Sequence, residues 1–359
     1  MTQRTRGSRT CLELCAGGGG QAIGLEQSGF RHQALIELDS DACQTLRINR
    51  PGWNVVQADI RSAVHTALER SLPRPSLLAA GVPCPPFSLA GQQLGADDER
   101  DLFPTTLFLI SAIKPRAVLI ENVKGLLQSK FTAYRAGILH HLSALGYAAE
   151  WRLLCARDFG VPQLRPRAVL VAMEPNAFVN FRWPEGSSST AGYETVGSAL
   201  RDSMASRGWE LADEWAAQAQ CVAPTLCGGS KKHGGADLGP SRARLAWAEI
   251  GVNGSSVADA LPGPGDPLPV RLTVGQLALL QGFPAGWKFA GRKTSVYRQV
   301  GNAFPPPVAR AVGRAIADAL DHTDNAAGRV ASPQSGKKGN VTAGTTGLPS
   351  PLTSPAVSA

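Results

Sequence analysis

A chain of 359 residues can hold one large or two moderate domains with an ample core, and 43% hydrophobic with 18% charged residues is an ordinary balance for a globular protein. No segment approaches the roughly 18 uninterrupted apolar residues of a membrane span, and no apolar stretch follows the basic N-terminus MTQRTRGSRT, so no membrane partner and no secretory leader are expected. The net charge of +8 and pI of about 9.3 suit a polyanionic partner, while seven cysteines without paired CxxC spacing exclude a disulfide framework and a zinc site and suit the reducing cytoplasm.

From Thr10 to about Met173, apolar runs alternate with helical patterns, the signature of βαβ units and a parallel sheet. Strands are expected at Thr10 to Leu14, Gln33 to Leu38, Leu77 to Ala80, Ala117 to Glu121 and Ala168 to Ala172. Helices are expected at Gln21 to Ser28, Ala42 to Asn49, Leu102 to Ile113 and Phe131 to Leu145. From about Pro175 to Pro269 Gly, Ser, Pro and Trp become frequent and long apolar periodicity is lost, which predicts a smaller, loop-rich domain. Helical patterning returns at Thr273 to Leu280 and Pro307 to Leu320. After Asp321 the chain has no aromatic residue and is rich in Ser, Thr, Gly, Ala and Pro, so residues 322–359 are expected to be disordered.

Two positions carry the chemistry. Cys84 stands between prolines in GVPCPPFS, just after the run Leu77 to Ala80, and Glu121 ends the run Ala117 to Ile120. Both side chains should emerge at strand ends, where ligands bind in open α/β sheets. A nucleophilic thiol beside a carboxyl group suits attack on an electron-poor ring, one group adding to the ring and the other protonating the nitrogen that takes up charge. The Gly-rich turn Gly17, Gly18, Gly19, Gly20 after the first strand permits close backbone approach to a ligand, and Glu37, about 20 residues on at the end of the second strand, is placed for ribose hydroxyls. A nicotinamide oxidoreductase is the competing reading of that turn. It is disfavoured because the turn is AGGGG and not GxGxxG, and because hydride transfer uses no Cys–Glu pair.

The blocks ELCAGGGG, IELD, ADI, PCPPFS, ENV, DFGVPQLRPR, RLTVGQLALLQGFP and YRQVGNAFPPPVA follow one another from about Cys11 to Leu320. In this order they resemble the DNA cytosine-5 methyltransferases of bacterial modification systems. The resemblance implies a Rossmann-like S-adenosylmethionine-dependent α/β sheet with a smaller, loop-rich target-recognition domain. Residues 1–9 are then a basic arm, 10–174 the catalytic and cofactor-binding domain, 175–270 the target-recognition domain, and 271–321 a return segment whose C-terminal helix completes the catalytic domain.

By the same resemblance S-adenosylmethionine is the cofactor. Ala16 to Gly20 would line its methionine part, Glu37 its ribose, and Asp59 with Ile60 its adenine. Leu102, Asn302 and Ala303 would complete the pocket, with Cys15, Leu38 and Pro83 also at the site. Cys15 replaces the family's usual phenylalanine, and Pro85 the usual glutamine after the nucleophile. Cys84 would add to cytosine C6, Glu121 would protonate N3, Arg167 would bind the base's O2, and Arg165 would support the site. Attack from above the ring requires a flipped-out base, and Ser88 to Asp101 reads as the closing loop, with Ser88 on DNA. In the recognition region Thr225 and Leu226 resemble the family's Thr-Leu pair, and Lys231, Lys232, His233, Arg242 and Arg244 could reach phosphates or guanine edges. The expected partners are double-stranded DNA and a cognate restriction endonuclease acting on the same site, with a monomeric, nucleoid-associated enzyme. Two other readings share the blocks. A tRNA methylase is disfavoured by the missing Cys-Phe-Thr signature, and a non-catalytic DNA-binding protein by the presence of both Cys84 and Glu121.

Overall fold

The structure, a computed structural model, describes residues 9–62, 73–83, 101–186, 192–229 and 235–330. The sheet consists of β1 (Thr10–Leu14), β2 (Arg31–Glu37), β3 (Val55–Gln57), β4 (Leu77–Gly81), β5 (Ala117–Val123), β6 (Ala148–Cys155) and β7 (Pro166–Met173), its central strands apolar runs buried on both faces and its edges β3 and β6 partly exposed. Among the described residues their order is β3-β2-β1-β4-β5-β7-β6. The first five strands are parallel, as the alternation of runs and helices predicts. The expectation of a wholly parallel sheet is corrected at one edge, where β7 runs antiparallel to both β5 and β6. Only the ten residues between Cys155 and Pro166 join β6 to β7, too short a link for a parallel crossover.

The chain turns outward in both directions from β1 and β4, so the topological switch point lies between them. In such sheets the crevice outside the carboxyl ends at the switch point is where ligands bind. The Gly-rich turn follows β1 and Val82 and Pro83 follow β4, so the fold brings that turn and the exit of β4 to the crevice's rim.

Helices α1 (Gly20–Gln27), α2 (Ser40–Asn49), α3 (Phe103–Ile113) and α4 (Thr132–Ala144) fall within a residue or two of the expected spans. Between 175 and 270 come α5 (Val196–Ala205), α6 (Ala212–Gln218) and α7 (Ser241–Ala248), and after them α8 (Val274–Leu280), α9 (Lys293–Asn302) and α10 (Pro306–Val330). The long α10 packs on α1 so closely that a Cβ at Gly24 would lie 2.5 Å from the Pro306 carbonyl oxygen. It also runs beyond Asp321, correcting the expected start of disorder at 322. Two bonds from the Arg116 guanidinium to Asp324, at 2.7 and 3.0 Å, fasten that extra length to the edge of β5.

The region from 175 to 270 holds more helix than its composition suggested. Thr195 and Ser198 form a reciprocal cap at the start of α5. The buried Trp209, Trp215 and Trp247 fill a core that also takes in Leu277 and Leu280 of α8 and Tyr297 and Val300 of α9. Recognition region and return segment therefore share one hydrophobic core. No helix among the described residues is long and apolar enough to cross a membrane.

Candidate active site

The turn after β1 is built by backbone that few residues tolerate. Cys15, Gly17 and Gly19 have φ of 54°, 55° and 93°. An added Cβ at Gly18 would lie 3.1 Å from Gln299, at Gly19 2.8 Å from Leu46, and at Gly20 2.4 Å from the Phe304 carbonyl oxygen. Gly20 leaves no room for a side chain against return-segment backbone, Gly19 is pressed by Leu46 of α2 and by Trp287, and Gly18 sits close against Gln299. Trp287 closes over them, donating its indole N–H to the Gly18 carbonyl at 3.1 Å. Only Gly17 faces open space, with nothing within 4 Å of an added Cβ.

Glu37 ties this turn to the end of β2. One carboxylate oxygen accepts from the Gly17 N–H and the other from the Asp39 N–H, both at 2.7 Å. Burial pushes its carboxyl up, and those N–H groups pull it back down. A carboxylate has about four acceptor sites, so capacity for ribose hydroxyls remains beside the open face of Gly17. Cys15, Ile60 and Leu102 pack in one apolar cluster with Ile36, an apolar wall of the kind an adenine ring needs. Asp59 accepts from the Arg61 N–H at 2.9 Å, Leu38 is exposed, and Pro83 stands exposed at the exit of β4. The residues present thus fit a nucleoside-bearing cofactor. Burial and the nearby Glu37, Asp59 and Glu13 carboxyls push the Cys15 thiol far up, so it stays neutral and is no rival nucleophile. Ala303 reaches the turn, its Cβ lying 3.0 Å from an added Cβ at Gly20. The Asn302 side chain donates to the Gly229 carbonyl at 3.1 Å.

Register places the expected acid, Glu121, at the exit of β4. Glu121 lies opposite Gly81 across the β4–β5 ladder, and Cys84 follows Gly81 by three residues. Cys84 itself lies outside the described residues, as do Pro85, Ser88 and the expected closing loop up to residue 100. Asn122, which the sequence did not single out, is buried and donates to the Val82 carbonyl at 3.2 Å, fixing the backbone just ahead of Cys84, the expected nucleophile. Its signal was a polar residue inside an apolar run. Glu121 is 7% exposed, and burial raises its carboxyl while the Arg167 and Arg165 guanidinium groups oppose the rise. Arg167 approaches from β7 with Nε 2.8 Å from the Glu121 carboxylate. A carboxyl whose neutral form is favoured by burial and whose position is fixed by a cation can donate a proton to a ring nitrogen.

Arg165 lies apart from that pair. Its guanidinium is fully buried and donates to the carbonyls of Leu226 at 2.7 Å, Gly301 at 2.8 Å and Ala303 at 2.9 Å. Its bonds go to backbone of the recognition and return segments. Thr225 is half-buried, its hydroxyl donating to the Leu164 carbonyl. Leu226 was expected on DNA, yet its side chain is 1% exposed in the shared core, because Gln163 and Arg165 hold its backbone inward. Arg242 and Arg244 are exposed on α7, but residues two apart on a helix do not face the same way, so the two point to different partners. Lys231, Lys232 and His233 lie outside the described residues.

Comparison with known proteins converges on one family. The model of the C-5 cytosine-specific DNA methylases matches residues 9–318. The chain is 55% identical to the type II methyltransferase M.NaeI of Lentzea aerocolonigenes over 86% of this chain and 75% of that one. It is 48% identical to the type II methyltransferase M.NgoMIV of Neisseria gonorrhoeae over 87% of this chain and 98% of that one. The solved Dnmt2 methyltransferase of S. pombe superposes with a TM-score of 0.56 at 16% identity, covering 88% of this chain and 99% of that one, which establishes the α/β methyltransferase fold. The resemblance carried by the sequence blocks is therefore borne out, and the chain belongs to the C-5 cytosine-specific DNA methylase family as a DNA (cytosine-5-)-methyltransferase.

Proposed function

We propose that this methyltransferase acts at a defined duplex site, on C5 of a flipped-out cytosine, through a covalent bond between Cys84 and C6. It would be the monomeric, cytoplasmic, nucleoid-associated modification enzyme partnered by a restriction endonuclease of the same site. The observation that carries this is the register of Glu121 against Gly81, which puts a buried, cation-held carboxyl beside the strand exit leading to Cys84. S-adenosylmethionine, the cofactor that family and fold imply, supplies an electrophilic methyl group when bound. Gly17 and Glu37 would hold its amino-acid and ribose parts and the Ile60–Leu102 wall its adenine.

The Cys84 thiolate donates its electron pair to C6. The ring electrons pass to N3, which takes the Glu121 proton, and C5 becomes the nucleophilic carbon of an enamine. Once C5 carries the methyl group, a base takes its proton, the sulfur–C6 bond breaks to release the thiolate, and N3 returns its proton to Glu121, restoring the neutral aromatic ring and the enzyme. Arg167 keeps the Glu121 carboxyl in line and is within reach of the base's O2. Residues 10–174 and 271–321 would form the catalytic unit, with 175–270 choosing the site. Two type II methyltransferases at 55% and 48% identity support the modification role. Bisulfite sequencing of DNA from a host expressing the chain tests the reading. One short motif fully protected at one cytosine is expected, and protection scattered without a motif would contradict it.

A further inference from the structure

Gln281, at the C-terminal cap of α8, is fully buried. Its side-chain oxygen accepts from Gln163 Nε2 at 2.6 Å and its amide donates to the Ala303 carbonyl at 2.7 Å. Gln163, equally buried, also donates to the Leu280 carbonyl at 3.1 Å and accepts the Leu226 N–H at 3.0 Å. Arg165 takes the Leu226 carbonyl and those of Gly301 and Ala303. Both backbone polar groups of Leu226 are thus held by one buried network. Around it Leu164 N–H bonds to Ala223 and Ala223 N–H to Pro162, so residues 162–164 and 223–226 lie clipped together. Two residues beyond Arg165, inside β7, Arg167 meets Glu121.

Three buried polar side chains in an otherwise apolar core are costly unless satisfied. Here they spend their bonds on two short stretches of backbone, fixing one register between recognition segment and catalytic strand. We propose that Gln281 is a positioning residue that, through Gln163 and Arg165, couples the seating of the recognition segment on DNA to the placement of Arg167 and Glu121. A poorly matched site then displaces residues 223–226, the displacement reaches Arg167, and proton donation falters. Misplacement by ~1 Å can cost about 10²-fold in rate.

The inference rests on the site-choosing role proposed for residues 175–270, and its test separates the two. In Gln281→Met the side chain keeps its approximate volume, Gln163 Nε2 keeps Leu280, and the Ala303 carbonyl keeps Arg165, so every former partner retains a bond and the chain should fold. The reading is tritiated methyl transfer by the full-length enzyme to duplexes carrying the mapped site or single base-pair substitutions of it. A slower rate on the correct site and a ratio of correct to substituted sites reduced by about 10-fold are expected, with the KM for S-adenosylmethionine unchanged. A purely structural role would lower all rates together, so an unchanged ratio overturns the coupling. Should Gln281→Met fail to fold, Gln281→Asn, which keeps the amide but shortens its reach, is judged by the same ratio. A wild-type ratio near one would instead overturn the recognition role itself.

Discussion

To act as proposed, Glu121 must donate a proton and stay in line with the base. Burial raises its carboxyl toward the neutral form, and Arg167 at 2.8 Å, which opposes that rise, fixes its position. Glu121→Gln keeps shape and cofactor affinity but has no acidic proton, so the single-turnover methylation rate should fall by about 10² to 10⁴. An undiminished rapid-quench rate would remove Glu121 from the acid role. A second buried carboxyl, Glu13 on β1, faces Gln21 at 3.5 Å and His32 at 3.7 Å. Burial pushes Glu13 up to about 8 and pushes His32 down. The raised Glu13 value means that the folded chain keeps a proton that the unfolded chain releases near its ordinary value of about 4.3. Stability from Glu13 is therefore present at low pH and lost as pH rises toward 8. The lowered His32 value acts oppositely, its stability being lost as pH falls below about 6.5. Glu13→Gln removes only the first limb. The melting temperature of the variant relative to the wild type should be higher at pH 9 than at pH 5, and a difference flat across that range would contradict the assignment.

Close backbone approaches decide the elements around the site. A Cβ at Gly24 would meet the Pro306 carbonyl, Ala309 and the Arg310 N–H, all at 2.5 to 2.6 Å. Backbone cannot move aside as a side chain can, so Gly24→Ala should destabilise the α1–α10 contact by roughly 1–3 kcal/mol, read as a lower melting temperature. An unchanged value would mean the helices are less tightly packed than described. At this scale the sequence was most legible where burial is two-sided. The runs Leu77 to Ala80 and Ala117 to Ile120 are fully buried, and their strands begin where the apolar residues do. β6 was not legible, because AAEWRLLC is an edge strand with half of its face in solvent and a mixed pattern. α9 was missed because KTSVYRQVGN spends its polar residues on other segments, Gln299 meeting Thr45 and Ser295 meeting Asp41. The carboxyl at Glu121 and the cradle residue Glu37 were legible from their place after apolar runs. The Gln163–Gln281 bond was not, since 118 residues separate its partners.

Across the whole molecule, one core runs from α5 through α9, so the segment proposed to choose the site and the return segment are not separable at residue 270. Grafting residues 175–269 into a related methyltransferase would pair Trp215 and Trp247 with foreign α8 and α9 packing. A graft extended through Ala303 should carry both the fold and the methylated motif, as bisulfite mapping would reveal. If that larger graft leaves the host's motif in place, site choice lies elsewhere.

In the proposed reaction Cys84 attacks the base while Glu121 protonates it. A duplex with 5-fluorocytosine at the mapped target position tests it most directly, because fluorine at C5 cannot leave as a proton does and the enzyme is held on the base. With S-adenosylmethionine present, the wild-type chain should form a protein–DNA adduct that survives denaturing electrophoresis, and Cys84→Ala should form none. An adduct of equal yield with Cys84→Ala, or none with the active wild type, would contradict the account.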